Sequence, residues 1–385
     1  MIGDRRLPTF LSATLIAVAA GTSACSSDDS AGGGGTGGVS TDGGGGFAAG
    51  FTGGTGGASG SAGASGSGTG GIPNPPPKPP PADIQFSSVN PLAPGEQLLF
   101  ADWGASPNTL STILPDGTKE QVVFRAYRLW SVGVTPDGSK IAFASGDPNQ
   151  EQNYGLKFGD SIQHTWLYDA TTQTAEVLAY GNINDECHLF NADASKLYVC
   201  RRYDFVEDGT TSVSKGYQLG RLTVADGTFE FLTPVPQNRF ELHPTPLGDE
   251  STLLFTQIDI VGGNAARAIR KLTLADDTRS VVKNTATLES ISPDGSKMVY
   301  RDHTDAGKLY VADIDGLNPV RVTSTPGTDG RFSPDGLRIA YLYGETQSCS
   351  HIEIVMADGS TADTPDRVRD CGTQFITDLE WIKRP

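Results

Sequence analysis

The chain is poor in the residues that most chemistries need. Among 385 residues there are five cysteines, five histidines and four tryptophans, and 29 lysines and arginines stand against 45 aspartates and glutamates. The net charge of -16 argues against nucleic acid or anionic lipid as a partner, because an acidic surface can neither neutralise phosphates nor be drawn to a membrane. There is no G-x-S-x-G elbow, no His-Glu-x-x-His pair and no doubled cysteine motif, which removes a serine hydrolase, a zincin and a structural zinc site. No long hydrophobic run is present either: the apolar stretch from Phe10 to Ala20 is too short to stay in a bilayer. Residues 26–82 hold almost no large apolar side chain. Such a segment cannot offset its backbone entropy by burial and is expected to be disordered. No strand precedes its glycines and no helix follows them, so it is not a phosphate-binding loop.

What is present at the N-terminus is the order of an export signal: Arg5 and Arg6, the apolar stretch, then Gly21-Thr-Ser-Ala-Cys25. Small residues before a single cysteine resemble the bacterial lipobox, although Thr22 stands where that motif usually has leucine. The resemblance implies cleavage before Cys25 and a lipid on its thiol. An ordinary signal peptide cut nearby is the blander alternative. Behind Cys25, roughly forty Gly-rich residues are expected to behave as a coil on the order of 35 Å across, and the polyproline run after Ile72 is expected to add roughly 25 Å. The expected organisation is a signal over 1–25, a disordered tether over 26–82 and one folded domain over 83–385.

That domain is repetitive. Val132-Gly-Val-Thr-Pro-Asp-Gly-Ser-Lys-Ile-Ala-Phe-Ala144 recurs as Leu288-Glu-Ser-Ile-Ser-Pro-Asp-Gly-Ser-Lys-Met-Val-Tyr300 and as Asp329-Gly-Arg-Phe-Ser-Pro-Asp-Gly-Leu-Arg-Ile-Ala-Tyr341. Weaker copies run over Asn191 to Val199, Leu247 to Phe255 and Ala93 to Phe100, which makes six units. In each, a strand meets a turn in which proline fixes φ and Asp-Gly supplies the polar and positive-φ positions, and a second strand leaves it. A further hairpin follows, as at Lys308 to Thr323. Four short strands per unit predict propeller blades, which bury their faces only against neighbouring blades.

The S-P-D-G turn before an I-A-F strand resembles the repeats of the TolB β-propeller family over nearly all of 83–385. The resemblance implies an all-β, six-bladed propeller. The Asn191 and Leu247 copies have lost the proline, and no counterpart of the N-terminal helper domain of TolB is present, so its envelope role does not carry over. The last stretch, Ile376 to Ile382, reads as an inner strand with no hairpin partner after it. It is expected to complete the first blade, with a partial seventh blade as the alternative.

Four cysteines form two local pairs. Cys187 and Cys200 flank the Asn191 turn, and Cys349 and Cys371 flank Ser360, so each pair is expected to face across a hairpin and form a disulfide suited to an exported domain. His188 and His243 fall on inner strands of adjacent blades, with Glu186 and Glu241 nearby. These histidines could converge on the channel as metal ligands, an arrangement resembling oligogalacturonate lyases, or be hydrogen-bonded strand residues. His164, His303 and His351 read as incidental. Asp313 to Gly316 reads as a hairpin turn rather than a calcium loop. Two insertions, Gly146 to Gly159 and Asp204 to Tyr217, should emerge on one face, where Tyr154, Phe158, Phe205 and Tyr217 could make a contact surface.

The expected function is therefore a non-enzymatic, monomeric envelope lipoprotein anchored through Cys25, at the outer membrane by the sorting pattern at Ser26. Its partner is a protein or a glycan, and no cofactor, metal or catalytic residue is assigned. The alternative is a metal-assisted polysaccharide lyase or hydrolase. A cluster of His, Arg and acidic residues in the channel favours the enzyme, and an apolar, plugged channel favours binding.

Overall fold

The turn chemistry settles the local structure. The computed structural model describes residues 84–385 apart from 89, 104–106, 147–162, 181–182, 204–205, 208–211, 214–215, 235–238, 262–263, 347–348 and 371–374. In the second repeat Asp137 accepts from the Ser139 amide at 2.9 Å and the Thr135 hydroxyl at 2.7 Å, with Gly138 at φ 64°. Asp294 and Asp335 make the same pair of bonds in their own turns. In the weaker copies Asp193 and Asp249 still accept from the Ser195 and Ser251 amides, and Ala194 (φ 58°) and Glu250 (φ 64°) take the left-handed position. The aspartate and the positive φ after it define this turn, and the proline is dispensable.

Among the described residues the strands form six antiparallel blades, five of them four-stranded. Blade 2 comprises Leu129–Val134, Lys140–Gly146, Gln163–Asp169 and Thr174–Ala179. Blade 3 comprises Asp185–Phe190, Lys196–Tyr203, Gly216–Thr223 and Phe229–Phe231. Blade 4 runs through Arg239–Leu247, Thr252–Val261, Asn264–Thr273 and Thr278–Asn284. Blade 5 runs through Ala286–Ile291, Lys297–Asp302, Lys308–Asp313 and Val320–Pro326. Blade 6 has Thr328–Phe332, Arg338–Thr346, Cys349–Met356 and Asp366–Arg369. Blade 1 is composite. Its inner strand is the C-terminal Ile376–Arg384, paired from Gly95↔Arg384 to Asp102↔Ile376, followed by Asn108–Ile113 and Gln121–Ala126. Gln85–Phe86 adds an outer edge. The last strand thus completes the first blade and starts no seventh.

Apolar side chains of the described residues gather in six clusters, one at each blade-to-blade interface. The cluster of Leu98, Phe100, Ala340, Ile354, Leu379 and Trp381 joins blade 6 to blade 1 and closes the ring. Both faces of most strands are covered, so the second strands read as continuous apolar runs instead of alternating ones. Inner strands approach closely around the axis. A Cβ on Gly133 of blade 2 would collide with the carbonyl of His188 on blade 3, so glycine is required there.

Every inner strand carries a bulge where its register with the second strand slips. Ser131, Cys187, His243, Asp329 and Asp378 occupy it with φ between 51° and 61°, and Glu289 holds the place in blade 5. The bulges lie toward the end of the channel where the inner strands begin, opposite the aspartate turns. A bulge re-aims side chains out of the regular alternation. Repeated around a ring, it turns one end of the channel into a collar of aimed groups.

Candidate functional site at the channel mouth

The collar is charged. Arg331 of blade 6 is its hub: Nε donates to Glu380 of blade 1 at 3.0 Å, and Nη1 donates to the Glu289 carbonyl of blade 5 at 2.6 Å. Glu289 accepts from the Asp329 amide at 3.0 Å and lies 3.2 Å from Nε of Arg301. Asp378 accepts from the Thr377 hydroxyl at 2.7 Å and from the Val132 amide of blade 2 at 3.3 Å. The Arg331 network ties blades 5, 6 and 1 together, and Asp378 separately ties blade 1 to blade 2 at the same end of the channel.

Desolvation and crowding set its charge state. Burial pushes Glu289 up to about 7 against the pull of Arg301. Burial and the neighbouring Asp329 carboxylate raise Asp378 to about 7. Burial raises Glu380 as well. Burial opposes the charge on Arg331, yet Glu380, Asp329 and Glu289 together hold it above the ordinary arginine range. Two carboxyls that change charge near neutrality thus flank a permanent cation.

The two channel histidines do not converge. His188 faces blade 2: Nδ1 lies 2.5 Å from the Ser131 carbonyl, Nε2 lies 3.3 Å from the Thr165 hydroxyl, and burial lowers its pKa. Both ring nitrogens are engaged, as in a hydrogen-bonded strand histidine. His243 faces the other way, toward blades 5 and 6, where burial and then Arg331 and Arg301 depress it to about 3. Its Nδ1 is buried without a hydrogen-bond partner among the described residues. Glu186 and Glu241 are not channel ligands. Glu186 accepts from the Tyr217 hydroxyl at 2.7 Å, and Glu241 is bound by Arg279 at 2.5 Å and the Thr233 hydroxyl at 2.6 Å. Among the described residues no three His, Cys, Asp or Glu side chains are grouped to hold a metal. The donors do not fit the metal centre that the lyase alternative requires.

Cys187 and Cys200 form a disulfide with Cα atoms 5.6 Å apart. They are not directly opposite, as equal spacing from the turn suggested: Cys200 pairs with Glu186, and the bulge at Cys187 brings its sulfur across. Cys25, Cys371 and the side chain of Cys349 lie outside the described residues, as do Tyr154, Phe158 and Phe205. Tyr217 is a correction. It is fully buried, held by Glu186 and by Arg202 at 3.0 Å, and cannot belong to a contact surface. Asp313 to Gly316 is the expected turn, with the Gly316 amide on the Asp313 carbonyl at 2.8 Å. His164 is buried and His351 stacks on Tyr343, but His303, read as incidental, stands on the channel rim.

Glu289, Asp329, Arg331, Asp378 and Glu380 escaped the sequence reading. A signal for part of the collar existed: Ser131, Cys187, His243 and Asp329 stand the same distance ahead of Thr135, Asn191, Leu247 and Ser333. Aligning the repeats on their turns puts the bulges of blades 2, 3, 4 and 6 in a single column, with Glu289 of blade 5 one position later.

No family model matches the chain, and no curated protein matches it in sequence. Solved structures do. TolB from Acinetobacter baumannii superposes with a TM-score of 0.54 at 18% identity, over 74% of this chain and 66% of that one. Hydrazine synthase of Kuenenia stuttgartiensis gives the same TM-score at 11% identity, over 78% of this chain and 48% of that one. An oligogalacturonate lyase in complex with manganese reaches only 0.40 at 17% identity, over 72% and 74%, too loose to carry an argument. The fold is that of a TolB-like β-propeller. Equal likeness to an unrelated synthase shows that the fold alone names no activity.

Proposed function

We propose that the chain is a binding module of the bacterial cell envelope, tethered through a lipid on Cys25 and docking a protein or glycan at the charged mouth of its channel. The observation that carries this reading is the Arg331 collar: polar groups from four blades converge at one end, and most are held in place by one another. Preformed, mutually oriented donors and acceptors suit recognition, because little ordering entropy is lost when a partner arrives. The export signal, the tether and the Cys187–Cys200 disulfide support an oxidising, extracytoplasmic setting. Outer-membrane placement and a monomeric state belong to the same proposal.

The test removes the hub together with its carboxylate partner on blade 1. Full-length protein with Arg331→Gln and Glu380→Gln together is compared with wild type for retention of a solubilised fraction of its native envelope. Retention should fall at least tenfold while the melting temperature stays within a few degrees, a loss of about 1.4 kcal/mol of binding or more. Unchanged retention overturns the mouth as the docking site. A second reading, cleavage of a polysaccharide in the channel, is favoured by the same collar, because a cluster of arginine, acidic groups and His243 at the channel is what an enzyme requires, and by the two carboxyls poised at about 7 beside Arg331. It predicts depolymerisation of polygalacturonate that Asp378→Asn abolishes.

A further inference from the structure

Next to the hub, the rim between blades 4 and 5 carries cations with less compensation. The Thr285 amide donates to the Arg267 carbonyl at 2.8 Å and the His303 amide donates to the Thr285 carbonyl at 2.9 Å, which sets Arg267, Thr285 and His303 side by side across the interface. The ring of His303 meets the Thr287 hydroxyl at 2.9 Å, and Thr287 pairs with Arg301 on the next strand. Arg301 leans on Glu289. Arg267 has no carboxylate: among the described residues no hydrogen bond or ion pair reaches its guanidinium, and its Nε is buried without an acceptor. Burial and the Arg301 cation together pull Arg267 below the ordinary arginine range. Burial, Arg301 and Arg267 likewise hold His303 down at about 4, so it is neutral near pH 7. A half-buried guanidinium beside a second one, with an unmet donor, is unsatisfied in both charge and hydrogen bonding. In a chain of net charge -16 such a cluster is not a general surface property.

We infer that the rim between blades 4 and 5 is an oxyanion site, in which Arg267, Arg301 and His303 receive a carboxylate or phosphate group of the ligand taken by the channel mouth. The assignment deepens the docking reading and rests on it for the identity of the ligand's remainder. Guanidinium forks match the paired oxygens of either group, and a neutral imidazole adds one donor without further charge.

The experiment titrates full-length protein with inorganic phosphate and, separately, with sodium glucuronate, following the histidine ring signals by NMR. At least one probe should shift the His303 signal saturably, with Kd on the order of 1 mM. Arg267→Gln should weaken that binding at least tenfold without lowering the melting temperature, whereas Arg321→Gln, a surface change far around blade 5, should leave it unchanged. Saturation by phosphate alone assigns a phosphoryl ligand, and saturation by glucuronate assigns a carboxylate. Saturation by neither probe, or equal affinity in Arg267→Gln, overturns the site. If the site fails while the Arg331/Glu380 variant still loses envelope binding, docking at the mouth stands without it.

Discussion

Bulge residues set the chemistry of the mouth, and their titration has a measurable consequence. Asp378 and Glu289 are held at about 7, above their values in an unfolded chain. Between about pH 4 and pH 7 the native state therefore holds more protons than the unfolded one, and stability falls as pH rises through that window. Asp378→Asn should flatten this fall and gain about 2 kcal/mol at pH 8 after allowance for partial exposure. Urea melts at pH 5 and pH 8 would show it, and a parallel shift of both variants at both pH values would contradict it. The Cys187–Cys200 bridge acts on the unfolded chain instead: with a separation of 13 residues, replacing both by serine should cost about 3 kcal/mol and lower the urea midpoint in oxidising buffer. These residues were unequally visible in the sequence. The cysteines could be paired because a hairpin turn lies between them. Arg331 and Glu380 belong to different blades, and only ring closure brings them together.

At the scale of elements, the hairpins were legible because aspartate and a positive-φ residue define each turn locally, even where Asn191-Ala-Asp-Ala194 replaces the full motif. The strands between were harder to orient. In a propeller both strand faces are buried, so alternation no longer separates inside from outside, and Tyr217 reads as available when it is enclosed. The C-terminal strand is the element on which closure depends. Trp381 is buried in the interface between blades 6 and 1, beneath the guanidinium of Arg338 at 4.8 Å. Trp381→Ala should cost about 3–5 kcal/mol and promote aggregation through the loosened edge of Gly95–Asp102. Leu337→Ser, in an exposed turn of the same blade pair, should leave the melt unchanged. Equal effects in calorimetry would argue against closure by the last strand.

For the whole molecule, the six interface clusters explain why no single repeat could fold alone, and the collar explains why the ring has one chemically distinct end. The anchor is tested separately: Cys25→Ser should abolish incorporation of labelled palmitate and release the protein from the membrane fraction, whereas retained label would contradict lipidation at Cys25. Docking at the mouth is tested most directly by site-specific photocrosslinking in native envelopes. A photoreactive residue at Thr285, on the rim where the inner strands begin, should give a discrete adduct, and one at Ser296, in an aspartate turn at the opposite end, should give none. An adduct from Ser296, or none from Thr285, would contradict the account.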